Sequence, residues 1–111
     1  MKKRDYKLYL KDILDAIAKI EDYTKDLSFE EFLKNNLVVD AVVRNFEILG
    51  EASKNISEEV KSQYPDIPWK EMAGMRDKII HEYFGIDLEI VWKTAKIRLP
   101  QLRSLLKDIY D

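Results

Sequence analysis

The chain has few residues of several types, and each shortage excludes a class of protein. It contains no cysteine, so disulfide bonds, a thiolate nucleophile and a cysteine-based zinc site are excluded. Only three glycines and three prolines occur among its 111 residues, which argues against a loop-rich or disordered chain. No apolar run approaches the ~20 residues of a membrane span, and no stretch resembles a signal peptide. We therefore expect a cytoplasmic protein that makes no contact with a membrane.

The residues that are present fit a helical globular protein. Hydrophobic residues make up 46% of the chain and charged residues 36%. The length corresponds to one small domain, residues 1–111, and a domain of this size buries only about two-thirds of its unfolded surface. Pairing with a second subunit would therefore add to its stability. The net charge of -2 does not indicate nucleic-acid binding, so any RNA would have to be attracted by local basic patches.

Hydrophobic spacing predicts helices throughout the chain and no sheet. Apolar residues recur every three or four positions, and no segment keeps a two-residue alternation. Ser28 and Glu31 form a capping-box pattern, and Asp87 is a predicted N-cap. Pro100 lies inside the last helix and should kink it by removing one hydrogen bond. We predict an all-α bundle of four to five helices, over residues 5–22, from 28 through 33, 36–55 with one more turn after Ser57, from 68 to before 85, and 87–109.

Residues 76–83 carry the strongest chemical signal, because they include the only histidine of the chain. Arg76 stays protonated and can clamp a phosphate through several N–H donors. His81 can take or give a proton near neutral pH. The two side chains are the minimum needed to cleave a phosphodiester without a metal. On an ideal helix Arg76 and Tyr83 share a face, whereas His81 points about 140° away from Arg76.

The single histidine raises a question of stoichiometry. RNA transphosphorylation needs a base for the 2′-hydroxyl and an acid for the leaving 5′-oxygen, and one imidazole does one of these at a time. A symmetric dimer would bring two copies of His81 to one cleft. The spacing alone nevertheless favours a structural interpretation, in which His81 caps a helix and Arg76 forms an ion pair.

The wider context changes that balance, because the segment 76–83 resembles the R-x4-H-x-Y signature of the HepT-like family of the HEPN superfamily. Asp77 fits the motif's second position, which is commonly polar. The resemblance covers nearly the whole chain in order. It includes RNFEILGEASK at 44–54, IPW at 67–69, GMR at 74–76, VW at 91–92 and LPQL at 99–102.

The resemblance implies an all-α bundle that dimerises, with the motif at the dimer interface. It also implies a metal-independent ribonuclease without a cofactor, acting as the toxin of a toxin–antitoxin pair. Arg76 and His81 would be catalytic. The partner would be an MntA-like nucleotidyltransferase that adds AMP to Tyr83 and silences the toxin. Taken from the residues alone, the better interpretation of Tyr83 is an aromatic plug with a hydrogen-bonded hydroxyl.

Two further groups of polar residues are candidates for supporting roles. Arg44, Glu47, Glu51 and Asn55 lie on roughly one side of a helix, where with Asp77 they could orient Arg76. A solvated helix face explains them equally well, and nothing in the pattern specifies a magnesium site. The second group lies in a stripe about 80° wide on the last helix and could contact RNA or an acidic partner, although a solvated face is the commoner explanation. Its members are Lys93, Lys96, Arg103 and Lys107.

The main functional alternative is a non-catalytic binding module. The bundle would then be a dimerising subunit of a nucleotidyltransferase complex, with the region around Arg76 binding nucleotide or substrate. A purely structural helix bundle is the third interpretation.

Overall fold

The fold is taken from a computed structural model that describes residues 5–80 and 87–111. Within these two ranges every regular element is a helix, which confirms the predicted all-α class. The helices are α1 (Tyr6–Thr24), α2 (Phe29–Lys34), α3 (Asn36–Lys54), α4 (Glu58–Gln63), α5 (Trp69–Ile80), α6 (Leu88–Lys93) and α7 (Leu99–Tyr110), with a π-helical turn at Thr94–Arg98.

The predicted helix starts are confirmed by their capping contacts. Ser28 Oγ accepts the Glu31 backbone N–H at 3.1 Å, and Glu31 Oε1 accepts the Ser28 N–H at 2.9 Å, which completes a capping box. Asp87 Oδ1 accepts the backbone N–H groups of Glu89 and Ile90 at 3.1 and 3.2 Å. These bonds satisfy N–H donors that have no partner inside the helix, and so fix where it begins.

Helix α3 lies at the centre of the structure, packed against α1 on one side and α5 on the other. Helix α1 also packs against α7. The spacing of apolar residues predicts that Leu14 and Ile109 belong to the buried faces of the first and last helices, and both are only partly buried. The side chain of Ile80, an apolar residue of the helix that carries Arg76, lies outside the described residues. Over the described part of the chain, the fully buried large side chains are Phe32, Phe46, Leu10, Ile13, Ile17, Ile20, Leu49, Met72, Leu99, Leu102, Leu106 and Val42.

The last predicted helix departs from α-helical geometry just before Pro100, the residue at which the sequence predicts a kink. The backbone widens into a π-helical turn over Thr94–Arg98, and the Leu99 N–H bonds to the Thr94 carbonyl five residues back. Pro100 then occupies the first turn of α7. A proline ring clashes with the carbonyl four residues before it and lacks an N–H, so a wider turn at that point relieves the conflict.

No helix within the described ranges combines the length and the apolar character that crossing a membrane would require.

Candidate active site around Arg76

An open cavity of about 520 Å³ lies where α1, α3 and α5 meet. Its size is in the range of small-ligand sites in proteins. Carboxylates, guanidinium groups and apolar surface all contribute to its wall. The lining residues are Tyr9, Asp12, Arg44, Glu47, Ile48, Glu51, Ala52, Asn55 and Arg76.

Gly50 allows α5 to approach α3 closely at Arg76. A Cβ atom added to Gly50 would lie 2.9 Å from Arg76 Cβ and 3.3 Å from Arg76 N. Real Cβ atoms essentially never approach so closely, so no side chain fits at position 50 without a shift of the helices. The absence of a side chain at Gly50 thus sets where the Arg76 backbone sits relative to α3.

The Arg76 guanidinium keeps most of its binding capacity. Its side chain is 38% exposed, and its one ion pair with a described residue joins Nη1 to Asp77 Oδ1 at 3.7 Å. Asp77 also lies 3.9 Å from Lys54 Nζ. Both distances exceed those of charge-assisted hydrogen bonds, about 2.7–2.9 Å. Arg76 can therefore still offer N–H donors to a phosphate, and the supporting role of Asp77 beside it stays a prediction.

The polar edge predicted on the long helix forms one wall of the cavity. Arg44, Glu47, Glu51 and Asn55 all line it with Arg76. Arg44 Nη1 lies 3.8 Å from Glu47 Oε2, a loose ion pair of neighbouring turns. The structure thus brings the predicted supporting residues to the same space as Arg76; their roles stay predictions.

Sequence reasoning missed Tyr9 and Asp12, which α1 contributes to the lining of the cavity. Each of the two takes part in an interaction of its own. The only signal for them is their three-residue spacing, which places two polar side chains on one face of α1. That spacing cannot show that this face turns towards Arg76, because the packing of α1 against α3 decides it.

His81 and Tyr83 lie outside the described residues, so their predicted catalytic and modification roles stay predictions. Helix α5, which carries Arg76, is described as far as Ile80.

The basic stripe on the last helix is exposed, but much of its charge is already engaged. Lys93 Nζ lies 2.9 Å from Glu89 Oε1. Lys96 Nζ donates to the Thr24 carbonyl at 2.8 Å and lies 5.0 Å from the Trp92 ring centroid. Arg103 Nε lies 3.1 Å from Glu21 Oε1. The contacts of Lys96 and Arg103 attach the π-helical turn and α7 to α1, whereas the Lys93 pair lies within α6. Binding of RNA or a partner by this stripe, Lys107 included, stays a prediction.

A second ionic contact fixes α5 from its other side. Arg98 donates to both carboxylate oxygens of Glu71, from Nε at 2.8 Å and Nη2 at 2.7 Å, and to Gln101 Oε1 at 2.8 Å. The hydrogen bonds from Arg98 hold the pKa of Glu71 below its usual value. This bidentate pair joins α5 to the π-helical turn across 27 positions of sequence.

Comparison with known proteins assigns the chain to a family. The model of the family described as "Ribonuclease HepT-like" matches residues 13–109. A protein of Thermococcus cleftensis named "Probable ribonuclease HepT" is 52% identical over 107 residues, covering 96% of this chain and 97% of that protein. A "Putative RNase" of Methanocaldococcus jannaschii is 46% identical over 115 residues, covering 100% and 99%. No solved structure matches the chain significantly.

The chain therefore belongs to the ribonuclease HepT-like family, and the resemblance that the motif residues suggested is confirmed.

Proposed function

We propose that this protein is a metal-independent endoribonuclease in which Arg76 holds the scissile phosphate. The 2′-hydroxyl attacks phosphorus and the bond to the 5′-oxygen breaks, leaving a 2′,3′-cyclic phosphate and a 5′-hydroxyl. Arg76 stabilises the charge that develops on the phosphorane. His81 transfers a proton in this reaction. Family membership and the names of the relatives support the reaction class.

The observation that carries this proposal is the placement of Arg76. Its guanidinium is partly exposed at a cavity of about 520 Å³ and its loose pair with Asp77 leaves it able to bind an anion. A structural arginine would be expected to form close hydrogen bonds, as Arg98 does with Glu71. The contrast between the two arginines favours a binding role for Arg76.

We further propose that the active species is a homodimer with the 76–83 motif at the interface. The small size of the chain supports this, since a second subunit would bury surface that one domain leaves exposed. The resemblance implies that the motif lies at that interface. Size-exclusion chromatography with light scattering would contradict the proposal if an active sample were entirely monomeric.

We propose that the ribonuclease acts as a toxin, and that an MntA-like nucleotidyltransferase silences it by adding AMP to Tyr83. The resemblance supports this assignment. The added phosphate would place negative charge in the motif and compete with the RNA backbone for Arg76. Intact mass measurement after co-expression with such a partner should show the mass of one added AMP, which Tyr83→Phe should prevent.

The activity is tested by induced expression without a partner. Wild type should arrest growth and fragment total cellular RNA, whereas Arg76→Ala and His81→Ala should do neither. Loss of a general acid or base lowers the rate about 10²–10⁴-fold. Lys11→Ala is the matched control, since Lys11 is an exposed cation on α1 paired with Asp15 at 2.9 Å. Harmless expression of wild type and variants as folded protein would favour the non-catalytic subunit instead.

A further inference from the structure

The proposed cleavage needs two groups that handle protons, and each chain carries one histidine. One group must remove the proton of the attacking 2′-hydroxyl, and the other must protonate the leaving 5′-oxygen. A carboxylate can act as the base when it stands within hydrogen-bond reach of that hydroxyl. Among the residues that the structure describes, three carboxylates line the cavity that contains Arg76, those of Asp12, Glu47 and Glu51.

Of these three carboxylates, that of Glu51 is available to bind a substrate hydroxyl. Glu47 already faces Arg44, whose Nη1 lies 3.8 Å away. Asp12 has an interaction partner of its own. Glu51 is exposed, and over residues 5–80 and 87–111 its carboxylate forms neither an ion pair nor a hydrogen bond; only its backbone carbonyl accepts, from Asn55 Nδ2 at 3.0 Å. An unpaired carboxylate keeps its acceptor sites for a substrate hydroxyl.

The packing of α3 against α5 fixes the position of Glu51 relative to Arg76. Gly50, the residue before Glu51, is the point where α3 touches the backbone and Cβ of Arg76. Both side chains then line the same cavity, whose volume of about 520 Å³ can hold a nucleotide unit of RNA. Because each residue stands on a helix and not on a loop, their relative position is set by rigid elements.

We propose that Glu51 is the general base of the cleavage reaction. Its carboxylate takes the proton of the 2′-hydroxyl, the 2′-oxygen forms a bond to phosphorus, and the bond from phosphorus to the 5′-oxygen breaks. The 5′-oxygen leaves with a proton from His81, while Arg76 binds the phosphate. Solvent then returns the proton from Glu51 to His81. This inference rests on the proposed ribonuclease activity. It makes Glu51 of the same chain the base, a role that the single histidine would otherwise leave to His81 of a second subunit.

The charges around Glu51 suit a base that works next to a phosphate. Tyr9 and Asp12 face the cavity from α1, Arg44 and Glu47 from α3, and Arg76 from α5. The two guanidinium groups offset the repulsion between the carboxylates and an incoming phosphodiester.

The test compares purified full-length wild type, Glu51→Gln, Glu51→Asp and Glu59→Gln on a pool of mixed-sequence oligoribonucleotides. Glu59 is an exposed glutamate in the first turn of α4 and serves as the charge-matched control. Glutamine keeps the size of Glu51 but cannot take the proton. We expect Glu51→Gln to lower kcat about 10²–10⁴-fold with little change in KM. Glu51→Asp should recover part of the loss, and Glu59→Gln should match wild type.

The pH dependence of kcat separates a base from a positioning residue. Wild type should lose activity towards acidic pH as the base becomes protonated, and the residual activity of Glu51→Gln should lack that acidic limb. Because Glu51 is exposed, its variants should unfold at the wild-type temperature.

Four outcomes would overturn the assignment. Glu51→Gln as active as Glu59→Gln would exclude Glu51 from the reaction, and an unchanged acidic limb in a slow Glu51→Gln would exclude it as the base. Either result leaves the ribonuclease proposal standing if His81→Ala and Arg76→Ala are inactive. If wild type cleaves no RNA in the pool, or if those two variants cleave as fast as wild type, the ribonuclease proposal itself fails and the role of Glu51 fails with it.

Discussion

Replacing Gly50 by alanine tests whether the close approach of α3 and α5 holds Arg76 in place. The new Cβ would lie 2.9 Å from Arg76 Cβ, 3.3 Å from Arg76 N and 3.5 Å from the Ala73 carbonyl oxygen. None of these atoms belongs to the flexible end of a side chain. The clash can therefore be relieved only if the two helices move apart, which carries the Arg76 backbone away from the cavity wall.

Two opposing effects set the change in the free energy of unfolding. Alanine is favoured over glycine inside a helix by about 1 kcal/mol. Overpacking a well-packed contact costs about 1–3 kcal/mol. The cost of overpacking should therefore exceed the gain in helix propensity, which leaves a net destabilisation of roughly 1 kcal/mol. For a domain of this size that corresponds to a fall in Tm of about 4–8 °C.

Gly74 supplies a matched control on α5, the helix that carries Arg76. A Cβ added to Gly74 has no neighbour within 4 Å, so only the helix propensity acts there. Gly74→Ala should stabilise the protein by up to about 1 kcal/mol. Thermal unfolding followed by far-UV circular dichroism should thus move Tm in opposite directions for the two substitutions. RNA cleavage should fall for Gly50→Ala and stay at the wild-type level for Gly74→Ala.

The opposite result is easy to recognise. If Gly50→Ala raised Tm as much as Gly74→Ala and left cleavage unchanged, the α3–α5 contact would not determine the position of Arg76.

Three further predictions concern stability. Glu71→Gln should lower the free energy of unfolding by about 0.5–1 kcal/mol at neutral pH, since the pair with Arg98 is bidentate but partly exposed. The pKa of Glu71 is lowered in the folded state, so the contribution of Glu71 to the free energy of unfolding is present above its unfolded-state pKa. That contribution is lost as pH falls through the folded-state pKa. Urea titrations of wild type and Glu71→Gln should therefore give similar stabilities in acid and different stabilities at neutral pH. Ser28→Ala should cost about 1 kcal/mol by removing the cap of α2, seen as a lower urea midpoint, and an unchanged midpoint would show that the cap contributes nothing. Leu49→Ala should lower the free energy of unfolding by about 2–5 kcal/mol because Leu49 is fully buried. Leu37 is 83% exposed, so Leu37→Ala should stay within about 0.5 kcal/mol of wild type. Similar losses of stability from both substitutions would contradict the packing of α3.

Most of the fold could be predicted from the sequence because its signals are local. The capping box at Ser28 and the cap at Asp87 use bonds that span two or three residues. The apolar stripe of α3 likewise follows from helical spacing within one segment. Where neighbours on other helices decide burial, the prediction was less accurate, and Leu14 and Ile109 are only partly buried.

The candidate site could be predicted only in part, for the same reason. The helix that carries Arg44, Glu47 and Glu51 and the motif that carries Arg76 were both identified in the sequence. Their meeting at one cavity depends on the close contact at Gly50, whose partner atoms on α5 lie more than 20 positions away. The bond between Arg98 and Glu71 had no local signal either, because the two residues are 27 positions apart.

The sequence by itself determined the helices, their caps, their apolar faces and the family, because these depend on residue types within a few turns of chain. The tertiary structure alone decided which polar faces meet. Packing of α3 between α1 and α5 brings Tyr9, Asp12 and Glu51 to the same cavity as Arg76. Helical periodicity fixes the direction of a side chain relative to its own axis, whereas the identity of the facing helix depends on contacts that are distant in sequence.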